Sequence, residues 1–212
     1  YPGDHKEMMR ENLHIIVDRV NKASSIIATM RSFGRKVEAE RSPVDLNEII
    51  EKIIKFLEAQ LRLSEIHLEL RLADTPCEVL GVEVRLEQVF LNLIQNAIQA
   101  MGRVVMPQLT ITSRIVTCLN LTTMLKEPYV VVTVSDNGEG IAEDMQKKIF
   151  DPFFTTREVG TGMGLGLSIV DRIVRGFSGY IEVESVPGKG ASFAVYIPQI
   201  RQQEAPVQGA QV

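Results

Sequence analysis

VVTVSDNGEGIAEDMQKKIFDPFFTTREVGTGMGLGLSIV, residues 131–170, decides how the rest of the chain is read. It begins as an alternating, β-branched strand in which Val130, Val132 and Val134 stand against Val131, Thr133 and Ser135. That is the period of a strand with two different faces. The strand stops at Asp136-Asn137-Gly138-Glu139-Gly140, so one carboxylate is delivered to its end, in a turn. A second glycine cluster, Gly160, Gly162, Gly164 and Gly166, opens a segment whose apolar residues Leu165, Leu167, Ile169, Val170, Ile173 and Val174 have helical spacing. Backbone N–H groups converging at such a helix start accept an anion, and glycines let it approach closely. Between the clusters, Asp151-Pro152-Phe153-Phe154-Thr155-Thr156-Arg157 is too apolar for a plain linker and too interrupted for an element. It reads as a movable cover.

Upstream, residues 83–101 carry a second chemical signal. On a helical wheel Arg85, Gln88, Asn92, Asn96, Gln99 and Arg103 share one stripe, with Leu86, Phe90, Leu93, Ala97 and Met101 opposite. Amides on a helix face are common by themselves. Beside a strand-end aspartate and a glycine-rich helix start they point to a site, since amide oxygens are hard ligands suited to magnesium shared with phosphates.

Further elements follow from alternation and turn residues. They are a short strand at Val44, a helix over 47–63 with Asn47 as N-cap, and strands over 66–72 and 78–80. Then come a strand over 109–117, a connection over 118–128, the strand 129–135, and two last strands, 180–185 and 191–197, around the turn Val186-Pro187-Gly188-Lys189-Gly190. Strands interspersed with helices predict an α+β fold, one mixed sheet covered by helices on one face. Ahead of it, Met9, Leu13, Ile16, Val20, Ala23, Ile27 and Met30 alternate by four and three, the seam of a long bundle helix. Arg41-Ser42-Pro43 reads as the boundary, and residues 201–212 as a disordered tail.

Composition excludes several classes. The chain has 212 residues, 45% of them hydrophobic, and a formal net charge of -4, so it lacks the basic footprint of a nucleic-acid binder. No apolar run approaches the ~20 residues of a membrane span, which predicts a cytoplasmic piece. Tyr1 in place of Met suggests a piece of something longer. Cys77 and Cys118 have no metal-ligand spacing and read as reduced thiols.

Four motifs in order resemble the N, G1, F and G2 boxes of bacterial sensor histidine kinases. They are Leu-x-Asn-Leu-x-x-Asn-Ala (Asn92, Asn96), Asp-Asn-Gly-x-Gly-Ile (Asp136 to Ile141), Asp-Pro-Phe-Phe-Thr-Thr (Asp151 to Thr156) and Gly-x-Gly-x-Gly-Leu (Gly162 to Leu167). The resemblance implies the Bergerat α/β sandwich of the GHKL ATPases over residues 43–200, with residues 1–42 as an incomplete dimerisation and phosphotransfer segment. ATP and Mg2+ are the implied cofactors, a response-regulator receiver domain the implied partner, and homodimerisation would run through the N-terminal helix. Any membrane anchoring would come from segments upstream.

By the same resemblance Asn96 coordinates magnesium, Asn92 lines the phosphate end, and Asp136 accepts the adenine amino group, with Gly138, Gly140 and Ile141 shaping its pocket. Gln99 stands where some relatives carry a basic residue. Phe153, Thr156 and Arg157 fall in the lid, and Gly160, Thr161, Gly162, Met163, Gly164, Leu165 and Gly166 border the triphosphate. The family's acceptor motif, a histidine followed by an acidic residue and soon by proline, is missing around His5, His14 and His67. No phosphoacceptor histidine is identified. Two alternatives stay open: a nucleotide-regulated docking module without kinase activity, and another GHKL-type ATPase. The latter would want a general-base carboxylate where Asn92 stands.

Overall fold

The structure is a computed structural model that describes residues 40–119, 124–155 and 164–200. The heptad segment, His5, His14 and the tail expected to be disordered lie outside the described residues. Within them the chain forms β1 (Ser42–Asp45), α1 (Leu46–Leu63), β2 (His67–Arg71), β3 (Glu78–Gly81), α2 (Glu83–Ala100), β4 (Gln108–Leu119) and β5 (Lys126–Asp136). There follow α3 (Glu143–Gln146), α4 (Gly166–Gly176), β6 (Tyr180–Val186) and β7 (Gly190–Pro198).

Five strands form a mixed sheet in the order β2-β4-β5-β7-β6. The β2–β4 pair is parallel and the other three are antiparallel. The single-sheet expectation needs one correction, because β1 and β3 make a separate antiparallel pair. A bridge between Val79 and Gln199 and the bond from Ile200 N to Glu78 O hold β3 beside the end of β7.

The helices cover one face, as expected. Leu86, Val89, Phe90, Leu93 and Ile94 of α2 are fully buried against Leu109 and Ile111 of β4 and Val130, Val132 and Val134 of β5. Each such side chain contributes about 1.5–3 kcal/mol by leaving water, so α2 is held firmly with its polar stripe turned away from the core. Val131, Tyr129 and Tyr196 form a second cluster on the opposite face, where Tyr196 stacks on Tyr180 at 4.4 Å.

Two local readings are corrected. The N-cap of α1 is Asp45, whose carboxylate accepts from Asn47 N at 2.9 Å and from Cys77 N at 3.2 Å. Asn47 instead donates to Ala73 O at 3.0 Å and accepts from Ser113 Oγ at 2.7 Å, tying α1 to β4. The connection expected over 118–128 is strand at both its ends, since the β4–β5 ladder runs on to Leu119 and Lys126. Pro128 stays inside it, and its carbonyl accepts from Gln199 N at 2.9 Å.

Candidate functional site

Asp136 is the last residue of β5, paired with Leu109. Its Oδ1 accepts from Gly138 N at 2.8 Å, an Asx turn that bends the chain sharply out of the sheet. A β-carbon at Gly138 would lie 2.7 Å from Ala100 O, so only glycine lets the turn press against the end of α2. From there Glu139 N donates to Ala100 O at 3.2 Å, and Glu139 O accepts from Gly188 N at 2.7 Å. Gly140 takes φ +70°, and Ile141 N donates to Ser185 Oγ at 2.8 Å. Gln146 on α3 adds Nε2 bonds to Ile141 O at 3.2 Å and Ser185 O at 3.0 Å.

Burial pushes the Asp136 carboxyl above its ordinary value of 3.8; the N–H groups of Gly138 and Ala191 pull it back, and nearby Glu139 raises it further. The folded chain therefore holds this proton more tightly than the unfolded one, and the group costs stability as pH rises from 3.8 through the raised value. A carboxylate buried at such a cost has most to gain from a donor brought by a ligand.

At the other end of the site, α4 begins at Gly166 with no side-chain cap on its first N–H groups. A β-carbon at Gly166 would sit 3.6 Å from Asn92 Oδ1 and 3.9 Å from Asn96 Nδ2. The two asparagines and the start of α4, separated by about 70 positions in sequence, thus lie side by side. Among the described residues no group of three or more His, Cys, Asp or Glu is arranged to hold a metal ion. The donors offered here are amide oxygens, which fit a hard cation that keeps its waters and shares phosphate oxygens.

Gln99 lies exposed in the last turn of α2, on the same stripe. Phe153, at φ +68°, is 74% exposed, and its N–H donates to Gly164 O at 2.9 Å. Gly164, Leu165 and Gly166 lead into α4, whereas Thr156, Arg157, Gly160, Thr161, Gly162 and Met163 lie outside the described residues. Sequence reasoning missed Ser185 and Gln146, which brace the turn after Asp136. A cavity of about 220 Å³ between the ends of α1 and α2, lined by Ser64, Ile98, Met101 and Val104 among others, has neither Asp136 nor the asparagines in its wall.

The family described as histidine kinase-, DNA gyrase B-, and HSP90-like ATPase matches residues 81–201. Sensor kinase CckA of Brucella abortus is 33% identical over 199 residues, which cover 91% of this chain and 21% of that protein. The chain spans about a fifth of that relative. Among solved structures, the catalytic domain of the histidine kinase ThkA superposes with a TM-score of 0.63 at 33% identity, covering 76% of this chain and 96% of that one. The complex of ThkA with the response regulator TrrA matches with a TM-score of 0.65 at 26% identity, over 88% of this chain and 50% of that one.

Proposed function

Because the chain belongs to the histidine kinase-, DNA gyrase B- and HSP90-like ATPase family, we propose that it is the ATP-binding catalytic part of a sensor histidine kinase, delivering the γ-phosphate of ATP to a histidine carried elsewhere. The observation that carries this reading is the meeting of Asn92 and Asn96 with the open start of α4 at Gly166. Adenine would lie at the Asp136 end, its amino group donating to the carboxylate. A guanine carbonyl in that place would be repelled. The phosphates would reach the N–H groups of α4, with Asn92 beside them and Asn96 as the protein ligand of Mg2+, which neutralises phosphate charge when bound.

Gln99, Gly138, Gly140 and Ile141 would complete the nucleotide site. Phe153, Thr156 and Arg157 would act in the lid, and residues 160–165 beside the triphosphate. Asn92 also separates transfer from plain hydrolysis. A neutral amide cannot take a proton from water, so a water-activating ATPase would lack its base there.

The phosphoryl group would pass on to a response-regulator receiver domain, in keeping with the partner in the ThkA complex. Dimerisation through residues 1–42 and membrane anchoring upstream would belong to the whole protein, with this part in the cytoplasm. The test is incubation with γ-labelled ATP followed by acid and alkali treatment. The chain is expected to bind ATP without labelling itself, and to label a separately supplied acceptor helix through an acid-labile, alkali-stable bond. Such a label on His5 or His14 would overturn the absence of an acceptor, and release of phosphate without labelling of the helix would favour the ATPase alternative.

A further inference from the structure

Asn137 follows the adenine-accepting Asp136 and has no part in the nucleotide contacts proposed above. Its backbone N–H donates to Gln108 O at 3.3 Å, its Oδ1 accepts from Gln108 N at 2.8 Å, and its Nδ2 donates to Met106 O at 2.8 Å. Three bonds therefore fasten one residue to the two positions where the chain returns from α2 into β4. Met106 is 81% exposed, so the side chain of that residue adds little packing, and its backbone is held at this point by an amide.

The geometry is a bridge. On one side the turn leans on the end of α2 through Gly138 and Glu139, and on the other Asn137 clips it to the start of β4. Between these fixed points the Asp136 carboxylate has its direction set by Gly138 N. We propose that Asn137 is a positioning residue for base recognition: by clamping the turn to Met106 and Gln108 it aims the Asp136 carboxylate at the amino group of the base. The proposal rests on the ATP-binding reading. A side chain merely contributing stability would lower the melting temperature and weaken all nucleotides alike, whereas a side chain that aims the acceptor sets the preference between an amino group and a carbonyl on the base.

The experiment is calorimetric titration of the whole chain with ATP and with ITP, whose base carries a carbonyl in place of the amino group. It would be run on the unsubstituted protein, Asn137→Ala and Asn137→Asp. The aspartate keeps the acceptor for Gln108 N and loses the donor to Met106 O, so it serves if the alanine variant does not fold. Preference for ATP over ITP is expected to fall about tenfold in Asn137→Ala and about threefold in Asn137→Asp, with weaker ATP binding in both. An unchanged ATP-to-ITP ratio in the folded variants, whatever their melting temperatures, would overturn the proposal. Failure of the unsubstituted chain to bind ATP would instead strike at the ATP-binding reading itself.

Discussion

The two ends of the proposed nucleotide site are built differently. The turn at residues 136–141 is braced by α2 through Ala100, by β4 through Gln108, by β6 through Ser185, and by Gly188 in the turn beyond β6. The opposite end, where α4 starts, has no side-chain cap, and Phe153 next to it is largely exposed with one backbone bond to Gly164. On the proposed reading, a base-binding end with its hydrogen bonds already made loses little freedom on binding, while helix-start N–H groups that no side chain caps would meet the charge of the ligand. The lesson is a division of labour: the end proposed for the base has its hydrogen bonds made within the fold, and the end proposed for the phosphates starts a helix that no side chain caps.

The largest effect should come from breaking the braced end. Gly138→Ala forces a β-carbon to within 2.7 Å of Ala100 O and of Asp136 Oδ1, so the turn must shift off α2. A loss of ATP affinity on the order of a hundredfold is expected in a titration, as for loss of a buried charged hydrogen bond with added strain. A variant that bound ATP normally would show that the turn has slack. Asn96→Ala probes the other end. Affinity with Mg2+ present should fall about tenfold, in line with loss of one hydrogen-bonding or ligand contact, and affinity without Mg2+ should stay near its starting value. If the ratio with and without Mg2+ were unchanged, Asn96 would not be the ligand.

A smaller and more graded contrast concerns dynamics. In hydrogen exchange the amides of Gly138, Glu139 and Ile141 should be protected with or without nucleotide, since each has a bonded acceptor. Amides at Gly166 and Leu167, in the uncapped first turn of α4, should exchange fast and slow down when an ATP analogue is added. Equal protection at both ends before ligand is added would erase the contrast.

What was legible in the sequence was whatever is encoded locally. Asp136 and its glycines carry their own turn chemistry, and the alternation of Val130 to Ser135 identifies a strand without outside information. The N-cap of α1 was misread because Asp45 and Asn47 are both good caps two residues apart. The choice falls to Asp45 because Cys77 N and Ser113 Oγ, distant in sequence, engage the two side chains separately. The approach of Asn92 and Asn96 to Gly166 is equally non-local: helical spacing alone leaves the asparagines as ordinary surface amides, and only reading them beside Asp136 and the glycine-rich helix start, and then the family resemblance, points to a shared site. Ser185 and Gln146 gave no signal at all: a serine in a strand and a glutamine on a short helix acquire their role only when β6 lies beside the turn. The start of β5 is hard to read at Pro128, where a missing N–H argues against a ladder. The ladder tolerates it there, with the proline carbonyl still accepting a bond from Gln199.

The most direct measurement for the central claim is calorimetric titration of the chain and of Asp136→Asn with ATP in the presence of Mg2+. Removing the carboxylate while keeping its shape takes away a charge-assisted hydrogen bond worth about 1.5–3 kcal/mol. A loss of roughly ten- to a hundredfold in affinity is therefore expected in Asp136→Asn, with the bound stoichiometry of the unsubstituted chain near one. Equal affinity of the two proteins for ATP would contradict the assignment of Asp136 as the acceptor of the adenine amino group.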